Sequence, residues 1–185
     1  EPMLTVAIPL RHILLDPNRP EGLHGLPDEE AVRLIKESYG FLATAVDVRL
    51  EGEIAVVSLE EPKATKVHEA LKLYERGVKS AQRGDYPKAM SQLQRVLETI
   101  PTHVDARRNL AMAHLERGNA ETAKGILREC LRLDPKNVWS FVLLGNIAAK
   151  NDRNLEAAAF YYESGLAINP TDNLLLNNLA ALRMQ

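Results

Sequence analysis

The sequence predicts a mostly α protein, in which an α-solenoid of three helix pairs and one terminal helix follows a small α+β module. Proline, alanine and glycine recur every 34 or 35 residues in the second half of the chain. Each period contains two stretches with the hydrophobic spacing of an amphipathic helix. The first sixty or so residues instead combine alternating, strand-like runs with one helical run. These observations divide the chain into a module at residues 1–62 and a helical array at residues 63–185.

The repeat is visible in several residue types. The prolines that end each unit and the alanines inside its second helix are both spaced by 34 and then 35 residues: Pro101, Pro135 and Pro170, and Ala89, Ala123 and Ala158. The extra residue falls in the polar turn 150–154, where an insertion costs little loop entropy. A period of this length is typical of stacked helical hairpins, none of which can bury its apolar face alone.

Each unit is predicted to hold a helix A, a turn and a helix B. In the first unit helix A is expected at about residues 65–83 and helix B at about 87–99, with Gly84 in the turn. The other two B helices are expected at residues 121–133 and 155–168. Small residues in helix A let the paired helices approach closely, and larger ones fill helix B one turn after its alanine: Gly77, Ala111 and Gly145, and Leu93, Leu127 and Tyr162.

These residues resemble the tetratricopeptide repeat family over about residues 68–172. The small residue of helix A, the alanine of helix B and the terminal proline agree in three consecutive units, at about residues 70–103, 104–137 and 138–172. Residues 173–185 copy helix A of a fourth unit. Arg76 departs from the family pattern because leucine is usual there. The last segment is apolar on several sides, which indicates either a piece of a longer array or a surface that self-associates.

The N-terminal module is predicted to have the order strand–helix–strand–strand. Residues 4–10 alternate like a strand, and an amphipathic helix begins at residue 28. Residues 44–50 and 53–59 alternate around Gly52, which is typical of a β-hairpin. The loop 16–27 is either a binding loop or a mobile connection. No family resemblance assigns a role to this module.

Composition argues against several classes of function. A net charge of −2 gives no sign of a nucleic-acid or membrane-surface binder. The chain has no apolar run of about 18 residues that could span a membrane, and no signal peptide is visible. A cytoplasmic location is therefore expected, although a leader already removed would leave the same sequence. The single Cys130 excludes an internal disulfide, and its place in an apolar stripe predicts a small buried hydrophobe.

Charge is unevenly distributed along the chain. Residues 1–62 hold five Lys/Arg and twelve Asp/Glu, whereas residues 63–136 hold fifteen Lys/Arg and nine Asp/Glu. Two explanations stay open: attraction between these parts or to an outside partner, and ordinary solvated helix faces.

The residues give no sign of catalysis, and neither a metal nor another cofactor is expected. The histidines lack the spacing of metal ligands: His12, His24, His68, His103 and His114. The family resemblance instead implies a non-catalytic protein that binds a peptide or protein partner, with helix A of each unit lining a concave groove. The groove residues that it implies are Tyr74, Val78, Arg108, Asn109, Met112, Trp139, Asn146 and Asn177.

Two groups of residues, the asparagines and two large apolar side chains, support this interpretation. Asparagine amides offer a donor and an acceptor to an extended peptide backbone, although an exposed helix face must carry polar residues in any case. Trp139 and Met112 would be apolar anchors.

Chaperone-tail adaptors of this family hold a terminal carboxylate with a clamp of lysine, two asparagines, lysine and arginine. At the corresponding positions this chain carries Tyr74, Val78, Asn109, Trp139 and Leu143. Only one of the five residue types is retained, so the sequence argues against that ligand. Two other functions stay open: self-assembly through the N-terminal module or the last helix, and service as an accessory segment of a larger enzyme.

Overall fold

The computed structural model describes residues 3–9, 27–38, 45, 47–101 and 103–184. Two chain segments named above, most of the predicted loop 16–27 and the end of the first predicted helix, lie outside the described residues. The described elements are β1 (Met3–Pro9), α1 (Asp28–Ser38), β2 (Asp47–Glu51), β3 (Ile54–Glu60), α2 (Glu61–Gln82), α3 (Tyr86–Thr99), α4 (Val104–Glu116), α5 (Ala120–Leu133), α6 (Val138–Lys150), α7 (Leu155–Ile168) and α8 (Asn173–Arg183). This order confirms the predicted fold class.

The three strands form one antiparallel sheet in the order β1-β3-β2. Val57 of the central strand lies opposite Val6 of β1 and Val48 of β2, and all three side chains are buried. The β2–β3 turn contains Gly52 at φ 61°, a left-handed conformation that glycine adopts without strain. The alternation of buried and exposed residues along β3 therefore turns one face of the sheet toward a core.

That core is shared with the first helix of the array. β3 ends at Glu60 and α2 begins at Glu61, about four residues earlier than predicted. Ala64, Val67 and Ala70 of α2 are buried in the same hydrophobic cluster as the sheet residues. Pro62 fits the first turn of α2 because the backbone N–H that it lacks would have no partner inside the helix. The sheet thus covers the N-terminal half of α2.

Helices α2 to α7 form three successive pairs, and α8 packs on α7. Acceptor side chains cap the N-termini of most of these helices by accepting a hydrogen bond from the backbone three residues later, as Asp85 does for α3 and Asp172 for α8. The first two pairs turn at Gly84 and Gly118, both at φ near +78°. The third turn has Arg153 at φ 52° instead. The additional residue of that turn therefore changes its geometry but not the pairing.

Small residues set how closely the paired helices approach. A Cβ atom built on Gly145 of α6 would lie 2.6 Å from Cδ1 of Tyr162 in α7. The second pair carries Ala111 and Leu127 at the same two positions, and both are fully buried. The alanine predicted to let helix B approach, such as Ala158, is also fully buried. A larger residue on one helix is thus matched by a smaller one on the other.

The first helix of the array carries charge on the edge that its counterparts bury. Lys72 and Arg76 of α2 are exposed, whereas Ala106 and Leu110, 34 positions later in α4, are buried against neighbouring helices. The departure of Arg76 from the usual leucine is explained by this solvent exposure.

The last helix, α8, exposes apolar residues where the first helix exposes charges. Leu176 and Ala180 of α8 and Met184, which follows its last residue, are spaced by four residues and are all exposed, Leu176 by 44 % and Met184 by 84 %. The position 35 residues before Ala180 is Gly145, which is buried against Tyr162. The stripe on α8 therefore repeats a surface that packs on a helix B in α6.

Candidate functional site

The first helices of successive pairs contact one another and form one continuous surface, here called the inner face: the side of α2, α4, α6 and α8 that carries the predicted groove residues. A cleft joins α2 to α4. Arg108 of α4 contacts Trp139 of α6, and Asn146 of α6 is hydrogen-bonded to Asn178 of α8. Four helices therefore contribute to a single surface.

The cleft between α2 and α4 brings three of the predicted residues together: Val78, Asn109 and Met112. Its volume is about 310 Å³, and its lining is Val78, Ala81, Gln82, Tyr86, Asn109, Met112, Ala113 and Glu116. Met112 is 43 % exposed despite its apolar side chain. The cleft therefore offers a ligand an apolar floor with amide and carboxylate groups at its edges.

Trp139 and Arg108 form a second part of the inner face. The Arg108 guanidinium carbon lies 5.8 Å from the centre of the Trp139 ring, a distance at which the cation is attracted to the ring face. Asp105 also faces Arg108, with 3.8 Å between their charged atoms. Trp139 nevertheless remains 51 % exposed. A large, orientated aromatic surface is therefore open to contact.

The two central asparagines have complementary hydrogen-bonding capacity left. The Nδ2 group of Asn109 donates to the carbonyl oxygen of Asp105 at 2.8 Å. The Oδ1 atom of Asn146 accepts from the Tyr162 hydroxyl at 2.7 Å and from Asn178 Nδ2 at 3.2 Å. In this hydrogen-bond network, Asn109 keeps an acceptor oxygen and Asn146 keeps a donor amide. Each peptide unit of a bound backbone has one N–H donor and one C=O acceptor, so the two asparagines could pair with both.

Two predicted groove residues lie apart from this centre. Tyr74 packs its ring on His103 with 4.4 Å between ring centres, and it is partly buried against the core between the first two pairs. Its main contacts are therefore with the protein itself. Asn177 is exposed on α8, and within the described part of the chain no hydrogen bond or ion pair joins it to the other predicted residues.

Sequence reasoning missed Tyr86, which lines the cleft from the start of α3. Helix B was not expected to reach the inner face, and only the tight turn at Gly84 brings Tyr86 back beside α2 and α4. His103 was likewise not recognised as structural. It is fully buried, and its Nδ1 accepts a hydrogen bond from the backbone N–H of Ala106 at the start of α4.

Burial shifts the pKa of two side chains that can take part in chemistry, Cys130 and His114. Cys130 is buried as predicted, and burial raises the pKa of its thiol to about 11, so the thiol stays protonated near neutral pH. Burial lowers the pKa of His114. Among the residues that the structure describes, no group of three His, Cys, Asp or Glu side chains could hold a metal ion. His12 and His24 lie outside that set. None of the described helices is both long and apolar enough to cross a membrane.

Comparisons with known proteins agree on the helical part of the chain. Residues 80–142 match the family model of the tetratricopeptide repeat. No curated protein sequence matches the chain.

Solved structures that share the fold of the helical part include three tetratricopeptide repeat domains. The tetratricopeptide repeat domain of OM64 from Arabidopsis is 18 % identical, with a TM-score of 0.60 over 64 % of this chain and 98 % of that one. The second such domain of human RPAP3, in complex with the HSP70 peptide SGPTIEEVD, is 20 % identical with a TM-score of 0.59 over 65 % and 99 %. The Sgt2 domain from Aspergillus fumigatus is 22 % identical with a TM-score of 0.58 over 63 % and 78 %. Residues 80–142 therefore match the tetratricopeptide repeat, and the helical part of the chain has the fold of tetratricopeptide repeat domains.

Proposed function

We propose that this protein is a non-catalytic scaffold that binds a peptide segment or a helix of a partner protein on the inner face. The observation that carries the proposal is the exposure of Met112 and Trp139 on adjacent helices of one continuous surface. Burying a side chain of this size contributes about 1.5–3 kcal/mol. Two such anchors beside an apolar cleft would supply the centre of a specific interface.

The polar groups around these anchors suit an extended backbone. Asn109 has an acceptor and Asn146 a donor beside the apolar residues, so a bound strand would leave fewer of its own N–H and C=O groups unpaired. A cytoplasmic location fits this proposal because the fold needs no disulfide.

The ligand that we propose differs from a chaperone tail. The second repeat domain of human RPAP3 is in complex with an HSP70 peptide that ends in EEVD. In this chain the positions of the carboxylate clamp carry Tyr74, Val78, Asn109, Trp139 and Leu143. Val78 has no polar side-chain atom and Trp139 has a single uncharged N–H, so neither supplies a cation to a carboxylate. Apolar side chains and backbone groups, and not a terminal carboxylate, would therefore dominate recognition.

A peptide-display selection on the intact chain, followed by titration of the selected peptides, tests the inner face. Trp139 is the only tryptophan, so its fluorescence reports directly on binding. We expect Trp139→Ala, measured by calorimetry, to weaken the selected peptides by about 30-fold or more, which corresponds to the loss of an interface hot spot.

Phe160→Ala is the matched control, because Phe160 is an aromatic residue that is 64 % exposed on α7, outside the inner face. Its affinity should stay within about twofold of the parent, as expected for surface residues outside an interface. Equal affinities of the parent and Trp139→Ala would show that the inner face is not the binding site.

Self-assembly is a second candidate function, favoured by the exposed stripe that Leu176 and Ala180 of α8 form with Met184 just after it. Two such stripes could bury one another as the corresponding residues of α6 bury against α7. Light scattering should then show a dimer that dissociates on dilution, and Leu176→Glu should abolish it because a charge would be buried without a partner. A monomer at every concentration would contradict this candidate and leave the inner-face proposal intact.

A further inference from the structure

A second cleft lies between α2 and α3, on a side of the first pair that the inner face does not include. Its volume is about 650 Å³, twice that of the inner-face cleft, and it is here called the outer cleft. Its lining is Lys66, Glu69, Ala70, Lys72, Leu73, Arg76, Arg95, Glu98 and Thr99. Four cations and two carboxylates therefore surround a floor made by Ala70 and Leu73.

The four cations of the outer cleft have no ion-pair partner among the described residues: Lys66, Lys72, Arg76 and Arg95. Spacing does not explain this, since Glu69 and Lys72 are three residues apart on α2 with the acid first. At the same spacing on α5, Arg132 pairs with Glu129 at 2.6 Å. The cations of the cleft are therefore available to an external anion.

An exposed helix edge needs polar residues for solvation, but these residues need not all be cations. Lys72 and Arg76 occupy positions that α4 fills with the buried apolar residues Ala106 and Leu110, and at this exposed edge any polar residue would serve. They are four residues apart on one helix, a spacing at which like charges repel each other. A bound anion would relieve that repulsion.

The spread of the cations limits the kind of anion. Lys66 and Arg76 are ten residues apart on α2, which is about 15 Å along the helix axis. One phosphate or carboxylate cannot contact both ends of this row. A ligand with several separated carboxylates can do so, and an apolar side chain between them would cover Leu73.

The two carboxylates of the lining add selectivity. Glu69 and Glu98 would repel a polymer with one negative charge at every unit, such as a nucleic acid. A peptide can leave a neutral residue opposite each of them.

We infer that the outer cleft is a docking site for an acidic segment of another protein, which places carboxylates on Lys66, Lys72, Arg76 and Arg95 and an apolar side chain on Leu73. The site is independent of the inner face, so a scaffold with both could hold two partners or two parts of one partner. Residues 63–136 hold fifteen Lys/Arg and nine Asp/Glu, and four of these cations line the outer cleft.

Fluorescence anisotropy with the intact chain tests the inference. The probe is a labelled peptide in which a leucine is flanked on both sides by glutamates, and its counterpart carries glutamine at every glutamate. We expect the glutamate peptide to bind, the glutamine peptide not to bind, and the affinity to fall at least about tenfold when ionic strength rises from about 50 mM to about 300 mM, because salt screens exposed charges.

Paired charge reversals locate the site. Arg76→Glu with Arg95→Glu should weaken the glutamate peptide by about tenfold or more, since two attractive contacts become repulsive. The control, Arg128→Glu with Lys136→Glu, makes the same change in net charge on exposed residues of the second pair and should change affinity by no more than about twofold. Circular dichroism checks that both variants are folded.

Three results would overturn the inference: no binding of the glutamate peptide, equal loss in the two double variants, or tighter binding of a single-stranded oligonucleotide. Trp139→Ala should leave this peptide's affinity unchanged. A loss there would place the peptide on the inner face, and it would overturn the assignment to the outer cleft while leaving the proposed scaffold function standing.

Discussion

Replacing Gly145 with alanine should destabilise the protein by about 1–3 kcal/mol, although alanine is the better helix former. The added methyl group would lie 2.6 Å from Cδ1 of Tyr162, well inside van der Waals contact. Tyr162 cannot easily move away, because its ring is buried and its hydroxyl group donates a hydrogen bond to Asn146. The α6–α7 pair would have to separate. Urea unfolding followed by circular dichroism measures the loss.

A second substitution should recover most of this stability. The α4–α5 pair already combines Ala111 with Leu127 at the equivalent positions, so Gly145→Ala with Tyr162→Leu recreates a combination that the array accepts. The matched control is Gly125→Ala on α5, where a Cβ atom would meet nothing within 4 Å. That change should stabilise the protein by about 0.5–1 kcal/mol. Equal effects at Gly145 and Gly125 would show that the close approach of α6 and α7 does not limit residue size.

Truncating Leu59 to alanine should cost about 2–5 kcal/mol, since the side chain is fully buried and its removal leaves a cavity. Leu59 belongs to the cluster that contains Val67 of α2, so we expect the loss to reach the helical array. In thermal unfolding, the midpoint should fall by the same amount for two signals. Trp139 fluorescence reports on α6, and far-ultraviolet circular dichroism reports on all helices.

Ile54→Ala is the control for the sheet, because Ile54 lies on the same strand with 39 % of its surface exposed. Its effect should be below about 1 kcal/mol, the range of strand propensity. If Leu59→Ala melted the sheet alone and left the tryptophan transition in place, the two parts of the chain would be independent folding units.

The helical array could be predicted closely because its signals are local. Helix B of the third unit was predicted at residues 155–168 and is observed at Leu155–Ile168. A polar turn precedes it and Asn169-Pro170 follows it, and each acts on the neighbouring backbone alone. The start of α2 was predicted at about residue 65, whereas the helix begins at Glu61. Only the sheet, whose core buries Ala64 and Val67, shows why the helix begins before them.

The candidate site could be predicted only in part. The family resemblance implied that Val78 and Met112 lie on one surface, and the structure brings them into one cleft. A resemblance cannot show what a polar group is already bonded to. Asn146 and Asn109 look equivalent in the sequence, yet the Asn146 oxygen already accepts from Tyr162 and Asn178, whereas Asn109 uses one N–H on Asp105 and keeps its oxygen free. The inference about the outer cleft depends on which cations remain unpaired, and only the folded structure shows this.

The two ends of the array differ in whether they would accept an added helix. Modules can be grafted after α8, where Leu176, Ala180 and Met184 would meet an incoming helix as their counterparts in α6 meet α7. Grafting before α2 would bury Lys72 and Arg76 against an apolar neighbour and would also require displacement of the sheet. An added helix would therefore find an apolar partner surface after α8 and a charged, sheet-covered one before α2.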